Sequence, residues 1–372
     1  MFHLNFLKSE VRKAYLKQKM KQFNKQKNVV TAAKRFWEFP NAAPWTKRLQ
    51  KYAEKTITLS EFNEALKESK CAQFIGNGSN AKVYAACALF AHSIGFMTGN
   101  HVCSDCKLLV AVKVPRFDEQ EAKNRTYGSL TESNILYEID IALRSNFLQS
   151  FYFSKHILRY QGHYQGLDNS FVLISNYIGN LNSSINLEKL IKHNKCTSIQ
   201  FLILTVQIFA TLHYLRLIIP GFVHMDLTTA QIFLNDGEGA QKLSLTTEYS
   251  CKIPQIAYNA VIGDYGLTIT DLHPQNKALM IKNGIAVGPT QDLFRYFNTA
   301  KANAKGTQTE RVINDLIDDI YRGKFDEISQ SHTTKETIGL IYLKDFDLVH
   351  VNTYADVLFK SKLFSPFLVM NK

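Results

Sequence analysis

A handful of positions carry side chains whose type and neighbours suit chemistry on phosphate. Gly76-Asn-Gly78-Ser-Asn-Ala81-Lys-Val83 is glycine-rich and lies between apolar residues. Without a Cβ, the backbone at Gly76 and Gly78 can come close to a bound phosphate. Val110-Ala111-Val112-Lys113 ends a β-branched run on a lysine, a cation able to neutralise phosphate oxygens. Glu132, nineteen residues on, opens the helical pattern Glu132-Ser-Asn-Ile-Leu and is the acid expected to hold that lysine, with Glu138 in reserve. Gly221-Phe-Val-His224-Met-Asp226-Leu-Thr-Thr-Ala-Gln231 supplies a carboxylate that can accept a hydroxyl proton and, five residues later, an amide oxygen for a metal. Val261-Ile-Gly-Asp264-Tyr-Gly266 places a second carboxylate after a short β run, suited to a divalent cation that bridges phosphates. Each segment alone is unremarkable. Their order and spacing, glycine loop, Lys, Glu, Asp, amide and Asp, point to one fold.

Such residues need rigid elements to hold them. Apolar and β-branched runs predict strands over Lys82–Leu89, Leu108–Val114 and Phe171–Tyr177, with short strands at Gln231–Leu234 and Ala260–Gly263. Helical patterns cover Leu59–Glu68, Ser129–Ser145, Ile199–Ile218, Thr290–Ala300, Thr309–Tyr321 and Tyr354–Leu363. Strands dominate the first part and helices the second, with a break near Gly179–Asn186, so an α+β fold of two lobes is expected.

The chain has 372 residues, 45% of them hydrophobic, which suffices for a sizeable core and excludes wholesale disorder, collagen-like repeats and coiled-coil rods. Its formal charge of +12 is unevenly spread: residues 1 to 51 hold thirteen bases and only the acids Glu10 and Glu38, leaving the rest nearly neutral. That segment reads as a basic helical extension. The readings open to it are a solvated arm, a helix packed on the body, a contact for nucleic acid, an anionic membrane or a core protein, and, least favoured by its Lys-rich, Ser-poor composition, a mitochondrial presequence. The longest apolar stretch, Ile199 to Val223, is interrupted by Gln200, Gln207, His213, Arg216 and Pro220, and reads as a buried helix rather than a bilayer span. Without a secretory leader pattern, the six cysteines are expected to be reduced in an intracellular protein.

From about Ala72 to Ala300 the chain resembles the eukaryotic-type protein kinase family. The resemblance implies a small antiparallel-sheet N-lobe over 71–180 and a reduced helical C-lobe over 181–372, preceded by the basic extension 1–70. By that resemblance Gly76 and Gly78 cover the phosphates of ATP, Lys113 contacts them and Glu132 pairs with the lysine. Val83 and Ala111 line the nucleotide, and Asn176 to Ile178 in Phe171-Val-Leu-Ile-Ser-Asn-Tyr-Ile178 meet adenine through backbone groups. Asp226 is then the catalytic base, and Asp264 with Gln231 holds Mg²⁺ or Mn²⁺. Asp292 in Gln291-Asp-Leu-Phe-Arg-Tyr resembles the buried helix acid that braces the catalytic loop.

The departures are informative. Gln231 stands where the family has Asn, Met225 where it has Arg, and Thr228 where serine/threonine kinases have Lys, while no Ala-Pro-Glu follows Asp264. Only 28 residues separate Asp264 from Asp292, so the activation segment is compact. These features are similar to the divergent protein kinases of poxviruses and other large cytoplasmic DNA viruses, which would imply host cytoplasm and virion as the location. The expected activity is therefore a protein kinase, of serine/threonine type, acting on a protein substrate with ATP. A nucleotide-binding scaffold without catalysis, and a lipid or small-molecule kinase, are the competing readings. His101-Val-Cys103-Ser-Asp-Cys106, with His92 upstream, leaves zinc, a redox pair and inert thiols open. Cys71, Cys87, Cys196 and Cys251 read as small apolar fillers.

Overall fold

The computed structural model describes residues 59–69, 71–77, 81–88, 91, 109–115, 154–165, 171–180, 183–237, 239–245, 249–271, 274–282, 284–330 and 353–370. Most of the basic extension, Gly78, Glu132, Glu138, the helix expected at Ser129–Ser145, and His92, His101, Cys103 and Cys106 lie outside the described residues. The architecture is α+β, with an antiparallel sheet and several helices.

Helix α1 (Leu59–Glu68) precedes strands β1 (Ala72–Asn77), β2 (Ala81–Cys87), β3 (Leu109–Pro115), β4 (Tyr160–Gln165) and β5 (Phe171–Asn176). These five form an antiparallel sheet in the order β1-β2-β3-β5-β4. Strand side chains alternate between faces, and here the alternation separates core from site. Val110, Val112 and Val114 of β3, with Tyr84, Ala86, Val172 and Ile174, are buried against Phe62 and Leu66 of α1. Phe62 and Leu66 are four residues apart and so share one helix face. Truncating Leu66 to Ala should cost about 2–5 kcal/mol. The helix assigned from sequence to the extension is thus part of the sheet's core. Ala111 and Lys113 fall on the opposite face, beside Ala85 and Val83, their cross-strand partners.

Two-residue strands β6 (Gly179–Asn180) and β7 (Ser183–Ser184) lead to α2 (Leu187–Lys192) and α3 (Ser198–Ile218). Thr197 and Gln200 close a capping box at the start of α3, satisfying N–H groups that the first turn would otherwise leave without partners. Among the described residues α3 is the helix long and apolar enough to cross a membrane. Residues 201 to 215 are instead buried inside the protein, so it is apolar all round because it is a core helix. Around it pack α5 (Pro289–Ala304), α6 (Glu310–Tyr321), α7 (Phe325–Gln330) and α8 (Tyr354–Lys360). Phe201 stacks on Tyr296 at 6.0 Å between ring centroids, and Thr205 Oγ1 lies 2.8 Å from the Tyr296 hydroxyl. α4 (Pro274–Lys282) precedes α5.

This second part is less purely helical than expected. β8 (Ile232–Asp236) pairs with β11 (Tyr258–Ile262), and β9 (Gln241–Ser244), β10 (Tyr249–Ile253) and the C-terminal β12 (Leu368–Met370) form a three-stranded antiparallel sheet. α8 also ends before the expected Leu363. The Ser361 hydroxyl accepts from Leu363 N and starts a 3-10 turn over Lys362–Phe367. Cys87, Cys196 and Cys251 are free and buried, as fillers should be. Cys71 departs from the expectation of reduced thiols, being disulfide-bonded.

Candidate active site

The pairing of β8 with β11 dictates where the two aspartates meet. Gln231 leads into β8 and Gly263 leaves β11, and the Gly263 N–H donates to the Gln231 carbonyl at 3.2 Å. The loop carrying Asp226 is thereby drawn beside Asp264. Glycine at 263 leaves room for its neighbours: a Cβ there would stand 2.8 Å from Phe233 Cε2 and 2.9 Å from Leu158 Cδ2, and those side chains would have to shift. A second tie runs deeper, where Val223 and Ile269 exchange backbone hydrogen bonds of 2.9 and 2.8 Å.

The loop itself is suspended from α5. Asp292, fully buried, accepts the backbone N–H of His224 at 2.8 Å and that of Met225 at 2.6 Å. The Tyr354 hydroxyl from α8 donates to the same carboxylate. Burial pushes the Asp292 pKa up, and Tyr354 and the two backbone donors oppose the shift. The sequence expectation for Asp292 as the brace agrees with this geometry. Further along α5, Thr299 Oγ1 accepts from Thr229 N at 3.1 Å, and Asn303 Nδ2 donates to Thr229 Oγ1 at 2.9 Å. His224 completes the clamp, its Nε2 donating to the Gly263 carbonyl at 3.0 Å while Nδ1 accepts from Asp226 N at 3.3 Å.

Two non-glycine residues here have left-handed backbone, Met225 with φ 66° and Asp264 with φ 62°. Such conformations persist where surrounding bonds enforce them, and they concentrate at functional sites. Met225 is enforced by Asp292. Its side chain is buried with Val223, Ile269 and Ile285, so the position where the resembled family has arginine is here a core position.

The predicted residues fall as follows. Val83 and Lys113 are direct cross-strand partners, Ala85 pairs with Ala111, and Gly76 pairs with Val83 across a bulge after Phe74. Among the described residues, chain neighbours aside, no heavy atom stands within 4 Å of a Cβ built on Gly76. Lys113 Nζ donates to Asp264 Oδ1 at 2.7 Å, joining the sheet to the segment after β11. Burial raises the Asp264 pKa, but the Lys113 ammonium more than offsets it and leaves the carboxyl below its ordinary value. Asp226 behaves oppositely: burial pushes its pKa up, Asp264 adds to the shift, and Arg295, His224 and Lys113 oppose it. Gln231 is half-buried at the end of the loop. Asn176 ends β5 and its N–H is committed to the Arg159 carbonyl at 2.8 Å, so any adenine contact there must use other groups of 176–178.

Sequence reasoning did not select Arg295, Thr299, Asn303 or Tyr354. The first three share one helix face with Asp292, at spacings of three and four, a pattern that points to the loop only once the path of α5 is known. Tyr354 is 62 residues from Asp292 and gave no local signal. No protein-family model matches the chain, and no curated protein matches it.

Proposed function

We propose that this chain is an ATP-dependent protein kinase that transfers the γ-phosphoryl group to a serine or threonine hydroxyl of a protein substrate. The observation that carries the reading is the Lys113–Asp264 ion pair beside an Asp226 loop pinned by Asp292. It unites, in one place, a cation for phosphate, a carboxylate for a divalent cation and a carboxylate for a proton.

The donor set suits Mg²⁺, which is usually held by one or two carboxylates together with phosphate oxygens and water. Asp264 is the carboxylate kept most readily ionised, and the Gln231 amide oxygen is the second candidate ligand. Bound there, the metal would supply neutralisation of phosphate charge. Lys113 is placed to bind phosphate oxygens from the sheet side, and with the lysine so engaged Asp264 would be free to hold the metal. Asp226 accepts the proton of the attacking hydroxyl, and its raised pKa brings it nearer the range useful to a base. The resemblance to kinases of large cytoplasmic DNA viruses extends the proposal to a virion-associated enzyme.

Incubation with γ-labelled ATP and Mg²⁺ or Mn²⁺, in the presence of casein, a basic protein and candidate virion proteins, tests the proposal. Label on protein with the wild-type chain, and none with Asp264→Ala, is the expected result. ATP binding without transfer to any protein would favour a nucleotide-binding scaffold. Transfer to a lipid or small molecule alone would favour that kinase class.

A further inference from the structure

Between His224 and Gln231 the loop contains no lysine or arginine, so it supplies no cation to its own aspartate. α5 supplies one. Asp292, Arg295, Thr299 and Asn303 lie on one stripe of that helix, and each bonds a group between His224 and Thr229. Within the stripe Arg295 alone acts on the reactive side chain: its Nη2 donates to Asp226 Oδ1. Both partners are mostly buried, with side-chain exposures of 17% and 21%, so water screens the pair weakly. Arg295 Nε is buried with no hydrogen-bond partner among the described residues. Leaving a guanidinium donor unmet costs stability, which argues that the pair is kept for what it does to Asp226.

We propose that Arg295 is a positioning residue for phosphoryl transfer, holding Asp226 by Oδ1 and leaving the second carboxylate oxygen to the acceptor hydroxyl. The proposal rests on the kinase reading. A carboxylate free to rotate presents either oxygen and several angles, whereas one tethered through a helix-borne arginine presents one. The same helix turn fixes the loop backbone through Asp292, so backbone and side chain of the base are set by a single rigid element.

The test uses the full chain with Arg295→Ala and Arg295→Lys, measuring protein phosphorylation under Mg²⁺-ATP. Arg295→Ala should lower kcat about 10- to 100-fold while the KM for ATP stays within about twofold, because Arg295 touches the base rather than the nucleotide. Arg295→Lys, or guanidinium ion added to Arg295→Ala, should restore part of the loss. A cycle of Arg295→Ala and Asp226→Asn, read by chemical unfolding, should be non-additive. In an active enzyme, an unchanged kcat, or a loss that neither lysine nor guanidinium relieves, overturns the proposal alone. No phosphoryl transfer by the wild-type chain overturns it together with the functional reading.

Discussion

Lys113 Nζ and Asp264 Oδ1 are 2.7 Å apart although 151 residues separate them in sequence. β3 delivers the lysine to the sheet face opposite α1, and the β8–β11 pairing delivers the aspartate. With side-chain exposures of 26% and 33%, the pair is partly screened by water and contributes on the order of 1 kcal/mol to folding. Lys113→Met should therefore lower turnover about 100-fold or more while thermal unfolding shifts only slightly. Steady-state kinetics and a melting curve on the same sample check this. A large fall in melting temperature with turnover intact would assign the pair to structure instead.

Tyr354 ties α8 to Asp292, the brace of the His224–Gln231 loop. Tyr354→Phe keeps the ring and removes the hydroxyl donated to the buried Asp292 carboxylate. Loss of a hydrogen bond to a charged, buried acceptor should cost about 2 kcal/mol in chemical unfolding. Asp292→Ala should cost more, about 3–5 kcal/mol, because the backbone N–H groups of His224 and Met225 lose their acceptor as well. If the two substitutions cost the same, the loop is not hung from Asp292.

His213 makes stability sensitive to mild acid. It is buried on α3, donating Nε2 to the Leu245 carbonyl at 2.9 Å, and burial lowers its pKa below the ordinary 6.5, with Arg216 adding and Asp356 and the Leu245 bond opposing. Below about pH 6.5 the unfolded chain takes up the proton that the folded one resists, so the contribution is present above that pH and lost as pH falls. Unfolding free energy measured from pH 7.5 down to 5 should decline, and His213→Asn, which keeps a donor, should flatten the decline. An unchanged slope would contradict this.

The elements that were legible are those whose own residues dictate them. β3 alternates core valines with Ala111 and Lys113, α3 is apolar over its whole circumference, and α6 stops at the left-handed Arg322 and Gly323 just beyond Tyr321, where its periodicity ends. Lys113, Asp226, Asp264 and Asp292 were legible as a spaced set. β4 was not, because Tyr-Gln-Gly-His-Tyr-Gln lacks the apolar content of a strand and is held by its neighbour β5. The sheet of β9, β10 and β12 depends on the C-terminus returning to Tyr249–Cys251, a pairing that no local pattern announces. Arg295 was overlooked for a different reason: its role follows from where α5 runs relative to the loop, and helical spacing gains meaning only once that path is known.

The measurement that bears most directly on the account is phosphoryl transfer by Asp226→Asn compared with wild type, alongside Mg²⁺-dependent ATP binding by both. The amide keeps the shape of the carboxylate but cannot take up the hydroxyl proton. The account predicts that binding persists while transfer to protein falls about 100-fold or more. Transfer at the wild-type rate by Asp226→Asn would contradict it.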